Sequence, residues 1–296
     1  MKRLGYRRQR TIAAPIKLNG TGFVTGKPIQ LRILPAPADT GLIFIRSDLS
    51  PSATVGAHVS EVTGTYRRTT LGNAPIQVTL VEHILASLRG LRVDNCYIEL
   101  NGPEPPGLDG SAAGFCQEIV STGFRLQDGF VTRWAPHRPI ILEYAGASIG
   151  FYPDSGDQLK ITYFLDYGPR SPIPPQSHSE TISPETFISA ISNCRTFVLE
   201  SEAEQLQKMG IGRHLTYQEL LVFGNHGPID NSLRFADEPA RHKILDLIGD
   251  LGLCGFDLVG HVIACRTGHP QNIELASKIY QGVFGLKPNG NFRRAA

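Results

Sequence analysis

The chain has no long unbroken apolar run, so no membrane-spanning helix and no stable membrane insertion are expected. It also lacks an excess of charge of either sign. Its 29 Lys and Arg oppose 27 Asp and Glu, a net charge of +2, which leaves no electrostatic footprint for nucleic acid. The one basic run, Met1 to Arg10, is too short for a transit peptide and has no apolar core like that of a signal peptide. It is expected to be a solvated lead-in. CxxC spacing is absent as well. The cysteines number five and are scattered, at Cys96, Cys116, Cys194, Cys254 and Cys265. An odd, dispersed set does not make a disulfide framework, and a reducing, cytoplasmic location fits it. Cys96, Cys254 and Cys265 lie in apolar segments and read as small core residues.

What is present is an ordinary globular composition, with 41% hydrophobic and 19% charged residues in 296 positions. β-Branched and apolar runs predict strands over Thr11–Leu18, Ile29–Leu34 and Gly41–Arg46, divided by glycine-rich turns. A helix follows over Thr79–Leu88, then a strand over Asn95–Asn101 and a helix opened by Ser111 and running to Thr122. The second half repeats the order. Strands are expected at Pro139–Tyr144, Ser148–Tyr152 and Leu159–Leu165, with the proline-rich Pro169–Ser179 as loop. Helices follow at Pro184–Ile191 and from Asp237 to Gly255, then a strand at Leu258–Arg266 and a helix at Pro270–Phe284. The fold class is therefore α+β, with two domains of similar βββαβα topology, each a sheet packed on two helices. The first is expected over 1–128, with a small insert at about 54–79. The second spans 136–286, with an insert at about 194–223, and 287–296 is a frayed tail.

One helix carries the chemistry. In Arg241–Asp250, His242, Asp246 and Asp250 recur every fourth residue and share one stripe, while Ile244, Leu245, Leu247 and Ile248 supply an apolar face. Two such groups four apart can chelate one metal; the alternative is a solvated polar edge. Glu82-His83 at the start of an earlier helix and His269 in a turn complete a workable set. Two histidines and a carboxylate bind zinc and leave a position for water, a neighbouring carboxylate takes its proton, and a further histidine protonates a leaving group. Asp250 would hold His269 in one tautomer. The other histidines, His58, His137, His178, His214, His226 and His261, read as solvated or hydrogen-bonded residues.

At these residues the chain resembles a known family. Val81-Glu82-His83-Ile84-Leu85-Ala86, Val93-Asp94-Asn95, Gly102-Pro103-Glu104 and Leu108-Asp109-Gly110-Ser111-Ala112 are similar to the first domain of the UDP-3-O-acyl-N-acetylglucosamine deacetylase (LpxC) family of lipid A synthesis. Cys194-Arg195-Thr196-Phe197, Leu233-Arg234-Phe235, Asp237-Glu238-Pro239 through Asp250-Leu251, and Thr267-Gly268-His269 with Asn272 extend the match in family order.

The resemblance implies two α+β domains with the active site between them, and one zinc per chain on His83, His242 and Asp246. Glu82 would be the general base and His269 the cationic partner that protonates the leaving amine. Asp250 would orient His269, and Thr196 would hydrogen-bond the tetrahedral intermediate. Lys243, Phe197 and Glu202 would contact substrate, and the second insert would form the acyl-chain passage. Iron(II) is the alternative metal, since His and Asp also suit it. A monomer is expected, with the sugar nucleotide as its partner and without a fused dehydratase.

Departures fall outside the ligand set. Val24 stands where the family has His, Leu199 where an aromatic is usual, Glu202 where Asp is frequent, and Gly210-Ile211-Gly212-Arg213-His214 where a Gly-Gly-Ser stretch is frequent. They bear on acyl-chain and nucleotide contacts. The other readings are a sugar-nucleotide binding protein that has lost catalysis, and a zinc amidase for a different acylated amine.

Overall fold

The computed structural model describes residues 1–285, so the expected tail at 287–296 lies outside the described residues. The chain begins with β1 (Lys2–Ile12), β2 (Ile16–Thr21), β3 (Pro28–Pro35), β4 (Leu42–Arg46) and β5 (Ala53–Gly56). Three short strands follow, β6 (Val62–Gly64), β7 (Thr70–Leu71) and β8 (Val78–Thr79), then α1 (Glu82–Gly90), β9 (Cys96–Leu100) and α2 (Ala113–Thr122). The middle of the chain holds β10 (Phe124–Ala135), β11 (Ile140–Tyr144), β12 (Ala147–Tyr152), β13 (Leu159–Leu165) and β14 (Gln176–Ile182). After the short α3 (Pro184–Thr186) and a wide helical turn over Phe187–Ile191 come β15 (Phe197–Leu199), α4 (Glu200–Lys208), β16 (Leu221–Gly224) and β17 (Gly227–Pro228). The chain closes with α5 (Glu238–Leu251), β18 (Asp257–Leu258), β19 (Gly260–Cys265) and α6 (His269–Phe284).

Two five-stranded sheets dominate. One has the order β2-β3-β9-β4-β5 and the other β11-β12-β19-β13-β14. In each, one pair is parallel, β4 with β9 and β13 with β19, and the other pairs are antiparallel. Strand β3 shows why these segments are strands. Ile29, Leu31 and Ile33 alternate inward while Gln30 and Arg32 face out, the period of two that a half-buried sheet requires. The mixed α+β class stands, but each sheet has one strand more before its helix than expected. The extra strands are β5, and β14, which begins inside the segment expected to be loop. Its Gln176 follows the last proline of the segment, so every residue from there can pair with β13.

The basic lead-in is corrected outright. Residues 2–12 form β1, antiparallel to β10, and β10 pairs in parallel with β18. Arg7 is the fastening. Its guanidinium donates to both oxygens of Asp94 at 2.7 Å and to both of Asp257 at 2.6 and 2.8 Å. Bidentate geometry of this kind makes strong charge-assisted bonds, and here it ties the first half of the chain to the second.

Helices α1 and α5 pack against each other, α2 lies against β2, and α6 against β11 and β12. The α1–α5 crossing is close because residue 249 is Gly. A Cβ there would collide with the Glu82 carbonyl. Gly249→Ala is therefore expected to force the helices apart and to cost about 1–3 kcal/mol, as overpacking does. Thermal unfolding checks this, and an unchanged Tm would rule the contact out as a constraint.

Candidate metal centre

The α1–α5 contact places His83 from the first turn of α1 beside His242 and Asp246 from the middle of α5. One donor atom from each of the three lies within 4.8 Å of the others. His242 Nε2 is 3.4 Å and His83 Nε2 3.6 Å from Asp246 Oδ1. The other carboxylate oxygen, Oδ2, accepts from Lys243 Nζ at 2.7 Å. The stripe on α5 is no wet edge: His242, Asp246 and Asp250 are 2%, 3% and 0% exposed.

The donor set suits a metal ion. His242 Nδ1 lies 3.0 Å from the Cys194 carbonyl, which can only accept, so Nδ1 carries the proton and Nε2 keeps its lone pair. Burial drives the His242 imidazole down to about 3, so it is neutral. Burial works against the Asp246 carboxylate, but the Lys243 ammonium outweighs it and holds the group ionised, well below the usual range. Two imidazoles and one carboxylate that face the cavity match the donor set of a metal site with a position left for water.

Beside this cluster stands a second set. Glu82 Oε2 accepts from the Thr69 amide at 3.1 Å, and Oε1 lies 3.8 Å from His269 Nε2. Burial pushes the Glu82 carboxyl up, toward the range where a carboxylate can take a proton. His269 Nδ1 sits 2.8 Å from Asp250 Oδ2, an oxygen that also accepts from Asn272 Nδ2 at 2.9 Å. Burial alone would depress the His269 imidazole, but Asp250, Glu82 and Asp246 outweigh it and raise it to about 9.

The remaining predicted residues share one cavity of about 910 Å³ that opens on this cluster. Thr196 lines it, held by its own amide on the Gly110 carbonyl at 2.8 Å. The Phe197 ring lies 6.1 Å from that of His242, with Lys243 Nζ 5.6 Å above it. Burial opposes the Lys243 charge, yet Asp246 and the nearby phenols hold the ammonium above its ordinary range. Glu202 also lines the cavity, but its oxygens are engaged. Oε1 accepts from Arg67 at 2.8 Å and Oε2 from the Leu199 amide at 3.2 Å. Val24, Ile211 and Gly212, where the sequence departs from the family pattern, face the same cavity.

Several motif residues turn out to be scaffolding. The Arg195 guanidinium and amide both donate to the buried Glu238 at the start of α5, which fixes the Cys194 carbonyl over His242. Glu104 accepts from the amides of Val24 and Thr25 and so shapes the glycine-rich turn. Asp94 belongs to the Arg7 clamp. Of the other histidines, His178 lies against Asp237 at 2.8 Å, His261 against Thr162 at 2.8 Å and His58 against Ser60 at 2.7 Å, in keeping with hydrogen-bonded roles. All five cysteines are free. Thr69 was not singled out from the sequence. It lies in a weakly patterned stretch, and only its position against Glu82 and Asp250 reveals it.

The raised value of His269 has a measurable consequence in the metal-free protein. Its folded value of about 9 lies above the unfolded value near ~6.5. The stabilisation from its ion pair is therefore complete below ~6.5 and is lost as pH rises through about 9. A histidine-selective NMR titration of the chelator-treated protein should show one midpoint near the upper value, moved down by Asp250→Asn. A midpoint at the unperturbed value would refute the pairing.

Residues 9–281 match the family model described as UDP-3-O-acyl N-acetylglycosamine deacetylase, LpxC. A UDP-3-O-acyl-N-acetylglucosamine deacetylase of Geobacter sp. is 34% identical over 272 residues, covering 92% of this chain and 88% of the relative. The enzyme of the same name from Chlamydia pneumoniae is 37% identical over 279 residues, with 94% and 98% covered. That of Nostoc sp. is 38% identical over 276 residues, with 92% and 98% covered. Matches of this extent and order show that the chain belongs to the UDP-3-O-acyl-N-acetylglucosamine deacetylase family.

Proposed function

We propose that the chain hydrolyses the N-acetyl group of UDP-3-O-acyl-N-acetylglucosamine to the amine and acetate, the committed step of lipid A synthesis. The observation that carries this reading is the convergence of His83, His242 and Asp246 beside a base, Glu82, and a cationic acid, His269. His83, His242 and Asp246 would hold one zinc ion, the metal the family resemblance implies, with iron(II) as the alternative. When bound, the metal supplies a Lewis acid for the amide carbonyl and a lowered pKa for water.

The chain's own residues do the rest. Glu82 Oε1, the oxygen not held by the Thr69 amide, takes the proton of the attacking water. His269 Nε2 faces the same space, stabilises the developing oxyanion and gives its proton to the leaving amine. An amine leaves poorly unless protonated, so this donor is required. Asp250 keeps Nδ1 of that ring occupied and Nε2 aimed at the reaction. Thr196 hydrogen-bonds the tetrahedral intermediate. Lys243 and Phe197 line the approach, and Glu202 acts there through its pair with Arg67. Leu206, Ile211, Leu215, Leu220 and Val222 give the cavity an apolar wall suited to the acyl chain.

In this reading the halves, 1–128 and 136–286, are two domains built on one plan, and the site lies between them. The shared strand order of the two large sheets supports that plan. The enzyme is taken to be a monomer in the cytoplasm, and the free thiols agree with a reducing location. Among the described residues no helix is long and apolar enough to cross a membrane. The intact base and acid weigh against a non-catalytic sugar-nucleotide sensor, which has no chemical need of either.

Metal analysis together with a deacetylation assay tests the proposal. One zinc per chain, turnover of UDP-3-O-acyl-N-acetylglucosamine and loss of both on chelation are expected. A folded protein that binds neither zinc nor iron(II) would sink it, and stoichiometric metal without turnover would point to the sugar-nucleotide sensor or to a different acylated amine. Thr196→Ala is expected to slow turnover roughly 10²–10³-fold, the loss of one oxyanion donor, and His269→Ala to be more damaging still. Equal, slight effects of the two changes would contradict the assigned roles.

A further inference from the structure

Thr69 lies in the turn before β7, in the small sheet β6-β7-β8, and carries no charge and no known signature. Its side chain is fully buried. Its hydroxyl donates to Asp250 Oδ1 at 2.6 Å, and Thr69 Oγ1 also lies 3.3 Å from His269 Nδ1. Its amide donates to Glu82 Oε2 at 3.1 Å. We propose that Thr69 is a positioning residue that holds the proton acceptor and the proton donor of the reaction in register, one through its amide and the other through its hydroxyl.

The argument is one of counting donors. Asp250 has two oxygens. Oδ2 receives His269 and Asn272, and Oδ1 receives Thr69. Without the hydroxyl, Oδ1 is left as a buried acceptor with no partner among the described residues. The carboxylate can then rotate about its Cβ–Cγ bond, and either oxygen can take His269. The imidazole follows, so Nε2 loses its fixed aim. The Thr69 hydroxyl proton is already committed to Asp250, so its lone pairs face His269 Nδ1–H and share that proton with Oδ2. The amide acts separately. By holding Glu82 Oε2, it leaves Oε1 as the free oxygen on the His269 side. A small polar β-branched side chain suits this place. Serine would keep the hydroxyl but lose the methyl that limits χ1, and valine would keep the shape but lose both hydrogen bonds. Thr69 does not line the cavity, and acts only through Asp250, His269 and Glu82.

The inference rests on the proposed deacetylase activity for its kinetic arm and not for its structural arm. Thr69→Val and Thr69→Ser are compared with the parent for kcat, KM, bound zinc and the 15N-histidine spectrum, with His269→Gln identifying the His269 signals. Thr69→Val is expected to lower kcat roughly 10- to 100-fold with KM and zinc content unchanged, and Thr69→Ser to recover to within about threefold of the parent, as loss and restoration of an orienting hydrogen bond do. The His269 Nδ1–H signal should shift in Thr69→Val and return in Thr69→Ser. An unshifted His269 signal in Thr69→Val overturns the inference, as does a kcat equal to the parent's, and equal damage in the serine and valine variants would reduce Thr69 to a packing role. A parent protein that folds, binds zinc and does not deacetylate overturns the functional reading alone, because the histidine spectrum still decides the role of Thr69.

Discussion

The close approach of α1 and α5 is the constraint on which the rest depends. Gly249 faces the Glu82 backbone with no side chain between them, so the first turn of α1 lies directly on the C-terminal part of α5. That contact converts two separate sequence patterns, Glu82-His83 and the His242–Asp246–Asp250 stripe, into one constellation. It also explains why the site can be buried. Residues on two rigid helices need no loop to bring them together, and helix-borne groups hold their geometry better than loop-borne ones.

Burial of so many ionisable groups is costly unless the charges balance and the lone pairs are filled. Three carboxylates, Glu82, Asp246 and Asp250, face two cations, Lys243 and His269. Each carboxylate meets a donor: Lys243 for Asp246, Thr69 and Asn272 for Asp250 and the Thr69 amide for Glu82. Burial pushes Glu82 toward its neutral form while Asp246 and Asp250 stay engaged with cations. The environments of neighbouring carboxyls are thus driven apart, the arrangement that lets one serve as a base and another as a fixed counter-charge.

Around that centre, one buried and one half-buried set of ion pairs work as fasteners. Arg195 with Glu238 ties the segment carrying Cys194 and Thr196 to the start of α5. Arg7 ties Asp94 and Asp257, one from each half, through the strand that opens the chain. Breaking such a pair by removing one partner leaves the other buried and uncompensated. The basic N-terminal run therefore belongs to the architecture that holds the halves in place. Its composition looked like a solvated arm because a strand that pairs with a distant partner leaves little trace in local composition.

Much of the chemistry was legible in the residues themselves. The period of α5, the alternation of β3, the turn glycines and the order of the motifs specify local conformation and which groups share a face, because backbone geometry is set by near neighbours. On those grounds the α+β class could be read and His83, His242 and Asp246 proposed as one ligand cluster, which the structure brings together. The roles of Glu82 and His269 drew on the family resemblance as well and belong to the proposed mechanism. Local pattern could not separate a wet polar stripe from a buried one, nor show that Arg7 reaches Asp94 and Asp257, nor that β14 begins where the prolines end. It gave no sign of Thr69, whose role exists only where the turn before β7 meets α5. Those facts depend on contacts between segments far apart in the chain, and such contacts are decided by the packing of whole elements: by the missing side chain at Gly249, the depth of burial, and the need of every buried oxygen for a donor.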